Sequence, residues 1–264
     1  MLLLIDAGNT RIKWAMATAA TCAGAGFARA ELGKWICAGV VERDAPGQLV
    51  EAWRGRQVAR VVLSNVAGEG MRGQLDQLLL RAFGARPIAI EWFHPAPALA
   101  GVRNGYRNPL QLGADRFASA IGAHALYPDE ALVVATCGTA TTVDAITPDG
   151  TFLGGMILPG LGLMAGSLAK NTAQLPQVDP RIEIVTPFAD NTTDAIISGC
   201  VAAQTGAIGQ ALAAHAANHG KVRCILSGGA GHMLAPHISH PSVTIDNLVL
   251  MGLQAAVMKQ HASC

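Results

Sequence analysis

The stretch Leu2-Leu-Leu-Ile-Asp-Ala-Gly-Asn-Thr10 decides the fold. An unbroken apolar run that stops at an Asp and a Gly reads as a buried strand meeting a tight turn. Alternation resumes over Ile12–Met16, which makes a hairpin, and Trp35–Val40 supplies a third strand. About half a chain later the same layout returns. Ala131–Ala135 is a buried strand, Thr136-Cys-Gly-Thr139 a small-residue turn, and Thr141–Ile146 an alternating strand; Pro148-Asp-Gly150 is a turn and Thr151–Leu158 a third strand. A unit that recurs in this way predicts two similar halves, each a sheet flanked by helices, facing one another across a cleft with one phosphate-binding turn on each side. The class is α/β.

The remaining chain fits that plan. Val58–Leu63 and Pro87–Ile90 are strand-like, and Met71–Phe83 has helical spacing that stops at Gly84. Pro95–Pro109 reads as a loop rich in Pro, Gly and Asn, Leu112–Leu126 as a helix ended by Tyr127-Pro128, and Asp194–Asn218 as a long Ala-rich helix. Val222–Leu226, Ser227-Gly-Gly-Ala-Gly231 and His232–Ala235 form a strand, loop and helix, and Leu248–Lys259 closes the chain as a helix. The division is expected between residues 115 and 116, giving domains 1–115 and 116–264, with the last helix packing back across both.

Composition narrows the class. The chain has 264 residues, 51% hydrophobic and 14% charged, which suits a compact enzyme and not a disordered segment. Nineteen Lys and Arg face eighteen Asp and Glu, for a net charge of +1, so no overall field favours nucleic acid or an anionic membrane. Asp6 cuts the first apolar run short and no basic segment precedes it, which argues against a signal peptide. Gly154–Ala169 contains Pro159 and five glycines and is too broken to span a bilayer. The six cysteines, Cys22, Cys37, Cys137, Cys200, Cys224 and Cys264, show no C-x-x-C spacing and read as free thiols in a reducing cytoplasm.

Four segments carry chemistry. In Asp6-Ala-Gly-Asn-Thr-Arg-Ile-Lys13, Gly8 allows a turn of positive φ, backbone N–H groups and Thr10 can surround a phosphate, Asp6 suits a Mg²⁺ held through water, and Lys13 supplies a point charge. The bland alternative is a hairpin turn with an Asp bonding its own backbone. Thr136-Cys-Gly-Thr-Ala-Thr-Thr-Val-Asp144 offers hydroxyls and Gly138 in the matching place, or else is a Thr-rich strand. Ser227-Gly-Gly-Ala-Gly231 lets a ligand approach backbone closely. Leu112-Gly-Ala-Asp-Arg116 sits at a helix start, where Asp115 either caps the helix or accepts a proton from an alcohol while Arg116 steadies a polar substrate; Tyr106 lies on the preceding loop.

Taken in order, Asp6-x-Gly-Asn-Thr, Tyr106-x-Asn-Pro, Gly113-x-Asp-Arg116, Gly138-Thr-Ala-Thr-Thr, Asn191-Thr192 with Ser198-Gly199, and Ser227-Gly-Gly-Ala-Gly231 resemble type III pantothenate kinases over nearly the whole chain. The resemblance implies two ribonuclease H-like, actin-type ATPase domains with an interdomain cleft, a homodimer, and phosphorylation of pantothenate by ATP in coenzyme A synthesis. It places Asp6, Ala7, Gly8, Asn9, Thr10, Arg11, Ile12 and Lys13 on the first ATP loop and Thr139 on the second. It places Tyr106, Gly113, Ala114, Asp115 and Arg116 on pantothenate, with Asp115 as general base, and Thr192 as a further substrate contact near the dimer interface. One position departs from the pattern. Many members carry an Asp that ligates potassium or ammonium where Thr136 stands; Thr136 offers a hydroxyl in place of the carboxylate, so a monovalent cation at Thr136 is a weaker expectation than Mg²⁺ at Asp6.

Other readings are weaker. Gly160-Leu-Gly-Leu-Met-Ala165, with Asp179 further on, fits a dinucleotide fingerprint, but Pro176 breaks the expected next strand and no βαβ layout precedes it. No G-x-x-x-x-G-K-[ST] occurs. His232, His237 and His240 lack a Cys or carboxylate to complete a metal site, and Cys137 lacks a neighbour that would stabilise a thiolate. Another small-molecule kinase of the same superfamily, or a non-catalytic ligand-binding regulator on this fold, are the rival functions.

Overall fold

The computed structural model describes residues 1–18, 29–84, 86–179 and 187–260. In chain order the elements are β1 (Leu2–Ala7), β2 (Arg11–Ala17), β3 (Cys37–Glu42), α1 (Gln48–Trp53), β4 (Arg60–Asn65), α2 (Glu69–Phe83), β5 (Ala89–Trp92), β6 (Ala98–Leu99), β7 (Val102–Asn104) and α3 (Ala114–Leu126). They continue with β8 (Ala131–Cys137), β9 (Ala140–Ile146), β10 (Thr151–Pro159), α4 (Leu161–Asn171), α5 (Thr192–His219), β11 (Val222–Ser227), α6 (Gly231–Leu234), β12 (Ser242–Thr244) and α7 (Leu248–Gln260).

The chain divides into two compact units, Met1–Pro128 with the segment from Asn247 onward, and Asp129–Asp246. The boundary expected at 115/116 falls inside α3 of the first unit, because α3 packs along α7 and against β4 and β7. The last helix, expected to lie across both halves, packs on α3, β1, β2 and β4, all in the first unit.

In the first unit the strand order is β3-β2-β1-β4-β5. β1 pairs antiparallel with β2 and parallel with β4, with Asp6 opposite both Lys13 and Ser64. Directly paired residues project to the same face of a sheet, and successive residues to opposite faces. Leu3, Ile5, Ala7, Ile12, Trp14, Val61 and Leu63 therefore share one face, where they form a core with Leu49, Val50 and Trp53 of α1 and Leu75, Leu78, Leu79 and Phe83 of α2. Trp53 stacks on Phe83 and meets Trp14 edge to face, each at 6.4 Å between ring centroids. The other face carries Leu2, Leu4 and Asp6. Burial on both faces is why β1 is apolar without alternation.

The second unit repeats the topology. Its order runs β10-β9-β8-β11-β12, with β8 antiparallel to β9, β9 antiparallel to β10, and β8 and β12 both parallel to β11. Mixed sheets flanked by helices thus recur as the sequence predicts. α5 is long and apolar enough to cross a membrane by length and composition, but its buried residues, Ile197, Cys200, Val201, Ile208 and Leu212 among them, share a core with β8, β9 and β11. β10 is antiparallel to β9, so Gly160–Ala165 opens α4 without a parallel βαβ crossover, and the dinucleotide reading fails. Among the described residues Cys37, Cys137, Cys200 and Cys224 are free thiols; Cys22 and Cys264 lie outside them.

The crossing of α3 and α7 is set by two glycines. A Cβ on Gly252 would lie 1.8 Å from the Ala118 carbonyl oxygen, and one on Gly122 would lie 2.7 Å from that of Leu248. Neither neighbour is a side chain that can swing away. Gly252→Ala is expected to force the helices apart and lower stability by about 1–3 kcal/mol or more, the range for overpacked cores. A thermal melt with a Tm equal to that of the parent protein would show that the helices do not cross so closely.

Candidate active site

The first turn links β1 to β2. Gly8 N–H donates to the Arg11 carbonyl at 3.0 Å, and a Cβ on Gly8 would sit 3.2 Å from that oxygen. The positive φ expected at Gly8 is not used; close approach of backbone is the reason for glycine there. Ala7 and Ile12 are buried in the core face, whereas Asn9, Thr10 and Arg11 are exposed at the tip. Contacts not anticipated from the sequence brace this tip and, separately, the loop from β4 to α2. Arg43, one residue beyond β3, donates its backbone N–H to the Thr10 carbonyl at 2.8 Å and its guanidinium to the Asn9 carbonyl at 3.3 Å. Asn65, ending β4, accepts from Ala67 N–H at 2.9 Å and donates to the Gly68 carbonyl at 3.0 Å.

Asp6 and Lys13 pair across β1 and β2 at the base of the turn. Burial raises the Asp6 carboxyl pKa to about 7, the charge of Asp115 adds to that rise, and Lys13 opposes it. Asp115 occupies the first turn of α3 and is also raised by burial, although the Arg116 N–H at 2.8 Å and the Arg116 charge pull the other way. The fold therefore sets two desolvated carboxylates against each other. Among the described residues no group of three or more His, Cys, Asp or Glu side chains is gathered to hold a metal ion. A pair of carboxylates suits a Mg²⁺ that keeps its waters and takes its other ligands from phosphates.

Beside Asp115, Arg116 is buried and donates to the Tyr106 hydroxyl at 2.7 Å, with its guanidinium 5.6 Å from the ring centroid. Tyr106 in turn is fixed from behind. Asn104, 7% exposed, accepts from Tyr106 N–H at 3.1 Å and donates to the Pro109 carbonyl at 3.1 Å. Sequence reading passed over Asn104; a lone Asn in a loop carries no signal until its burial is known. Gly113 precedes α3, and Ala114 is its first residue.

In the second unit Thr136 takes the register that Asp6 holds in the first, paired with Thr142 and Ser227 as Asp6 is with Lys13 and Ser64. Thr139 lies exposed at the tip of that turn. The turn is closely packed. A Cβ on Gly160 would be 2.1 Å from the Gly138 carbonyl oxygen, and one on Gly228 (φ +85°) 2.4 Å from that of Cys137. The Ser227–Gly231 glycines thus have a packing reason in Gly228, and Ala230 N–H donates to the Cys137 carbonyl at 3.0 Å. Burial pushes the Cys137 thiol up to about 12, so it is no nucleophile. Thr192 begins α5 and lines a mainly apolar cavity of about 570 Å³ with Met164, Leu168, Leu175, Ile196 and Cys200.

A twice-repeated mixed sheet with a turn after its first strand is the architecture of the actin-like ATPase fold, and one of the two turns carries a carboxylate pair. Among solved structures the chain is similar to a conserved protein assigned to the Baf family of transcriptional activators from Campylobacter jejuni (TM-score 0.59, 19% identity, 99% of this chain and 100% of that one). It is similar in the same degree to a protein assigned as a 2-dehydro-3-deoxygalactonokinase from Sinorhizobium meliloti (TM-score 0.59, 12% identity, 98% and 99%). The type III pantothenate kinase profile matches residues 2–214. Type III pantothenate kinases of Janthinobacterium sp. (strain Marseille) and Herminiimonas arsenicoxydans are 56% and 53% identical, each over the full length of both chains. The chain belongs to the type III pantothenate kinase family and is an enzyme, a kinase.

The carboxylate pair has a consequence for stability. Folded, Asp6 keeps its proton to about pH 7; unfolded, it releases it near 3.8. Between those values the folded state binds more protons, so stability falls as pH rises and the cost is complete above pH 7. Asp6→Asn is expected to stabilise the protein in EDTA at pH 8.5 by on the order of 1–3 kcal/mol, less than the full shift implies because solvent screens a partly exposed group. The gain should shrink toward pH 5. Equal melting of variant and parent at every pH would show that the pair carries no strain.

Proposed function

We propose that the enzyme transfers the γ-phosphate of ATP to the primary hydroxyl of pantothenate, with Asp115 as the general base. The observation that carries this reading is the desolvated Asp115 carboxylate beside Tyr106 and Arg116, against a second carboxylate at the first turn. A carboxylate whose pKa lies above the usual range is the stronger base, and general base catalysis typically contributes about 10²- to 10⁴-fold. Asp115 would accept the hydroxyl proton as the oxygen attacks phosphorus in line. The Tyr106 hydroxyl, oriented by Arg116, would position the polar chain of pantothenate, with Gly113 and Ala114 contributing backbone beside it.

Most of the remaining acceleration in phosphoryl transfer is positioning and charge stabilisation. Lys13 and the backbone of Ala7 to Ile12 would hold the phosphates from the first turn, and Thr139 those from the second. Mg²⁺ would be held at Asp6 through water and, when bound, would offset charge on the β- and γ-phosphate oxygens. The proposal also includes a homodimer, with Thr192 near the interface as a further substrate contact, and a cytoplasmic location.

Coupled ADP release with ATP, Mg²⁺ and pantothenate tests the reading. Asp115→Asn is expected to lower kcat by about a hundredfold or more while pantothenate and ATP still bind. Undiminished turnover would remove Asp115 from the base role, and affinity for pantothenate without ADP release from the parent protein would make this a binding module. Thr136 has its own test. Adding potassium or ammonium to an assay free of both should change the rate little, and strong activation would place a monovalent cation on a site without a carboxylate.

A further inference from the structure

Ser64 is the penultimate residue of β4, one strand away from Asp6, as its direct register partner. Its side chain therefore projects to the same face as those of Asp6, about 5 Å away across one strand spacing, and Lys13, one strand further on. It is 0% exposed, and its Oγ has no hydrogen-bond partner. A buried hydroxyl left unpaired costs about 1–3 kcal/mol, so such groups in native proteins point to a water, an ion or a ligand. An apolar residue of similar size would fill this strand position without that cost, as Val62 does two residues earlier on the same face. The groups around Ser64 are the wrong ones for an empty apolar pocket: Asp6 beside it, Lys13 on the far side of Asp6, and Asp115 near enough for its charge to act on Asp6.

We propose that Ser64 is a positioning residue for the divalent cation, its hydroxyl hydrogen-bonding a water of the hydrated ion held at Asp6. This rests on the proposed role of Asp6. Mg²⁺ gives up water reluctantly and is bound largely through its shell. With one carboxylate doing the holding, the orientation of that shell depends on which other polar groups meet it. Ser64 Oγ can both donate to a carboxylate and accept from a water, so it can bridge the two. Groups that orient the ligands of a metal typically change affinity by about 10- to 100-fold when removed.

The test is Mn²⁺ titration of the full-length protein, free Mn²⁺ being read by electron paramagnetic resonance, on the parent, Asp6→Asn, Ser64→Ala and Ser64→Cys. Ser64→Cys keeps the volume and removes the strong hydrogen bond. Both Ser64 variants are expected to bind Mn²⁺ about tenfold more weakly than the parent, and to need correspondingly more Mg²⁺ for half-maximal turnover while kcat at saturating Mg²⁺ is retained. A hydroxyl without that role would leave the Mn²⁺ affinity of Ser64→Ala equal to that of the parent, whatever its melting temperature in EDTA, and that result overturns the proposal. Weakening in Ser64→Ala but not in Ser64→Cys would assign the effect to lost packing and overturn it equally. If Asp6→Asn binds Mn²⁺ as the parent does, the cation is not at Asp6, and the reading beneath the proposal fails first.

Discussion

Two carboxylates compete for one poorly solvated space, and the first unit is arranged around that competition. Asp6 is carried by a strand whose apolar residues are buried on both faces, so its backbone cannot shift without displacing the sheet. Asp115 is carried by α3, which is locked to α7 through backbone contact at Gly122 and Gly252 and is anchored below by Phe117 against Phe93 at 6.1 Å. Neither carrier can relax, and the repulsion is left for something else to relieve: a proton, the Lys13 ammonium or a bound cation.

The same rigidity bears on the proposed role of Asp115 as a base. A carboxylate at a helix start is ordinarily stabilised as the anion by N–H groups and by the helix dipole. Here the Arg116 N–H and the Arg116 charge act in that direction, yet burial outweighs them. The Arg116 guanidinium also donates to the Tyr106 hydroxyl. Asn104 then fixes the loop from which Tyr106 projects. Tyr106 is thus held by hydrogen bonds at its hydroxyl and at its backbone N–H.

Much of this was legible in the sequence, for reasons that differ from element to element. β1 and β8 announced themselves because strands covered on both faces are apolar without interruption. α2 was bounded by Gly84, whose positive φ and capping N–H to Leu80 are what its position after an apolar helix suggested. The missed elements are short or lie where Pro and Gly dominate: α1, β6, β7 and β12. α4 was missed because Pro159 and Gly160 look like breakers, whereas Pro159 ends a strand and Gly160 precedes the helix. Among site residues, Asp6, Tyr106, Asp115 and Arg116 carried motif signals. Asn104, Arg43 and Ser64 did not, since a polar residue gains meaning only from burial and partners that depend on distant segments.

The two units show how one topology is put to unequal use. Asp6 and Thr136 share a register position, and so do Ser64 and Ser227, but only the first set includes a carboxylate and a lysine. The second turn is instead crowded by backbone, with Gly160 and Gly228 pressed against its carbonyl groups and no charged side chain at the equivalent places. Backbone held this closely has little freedom to rearrange, so it offers N–H groups and the Thr139 hydroxyl in fixed directions. Side-chain charge marks the first turn and close-packed backbone the second, so one topology carries two different electrostatic surroundings: Asp6 and Lys13 at one pair of register positions, Thr136 and Thr142 at the other.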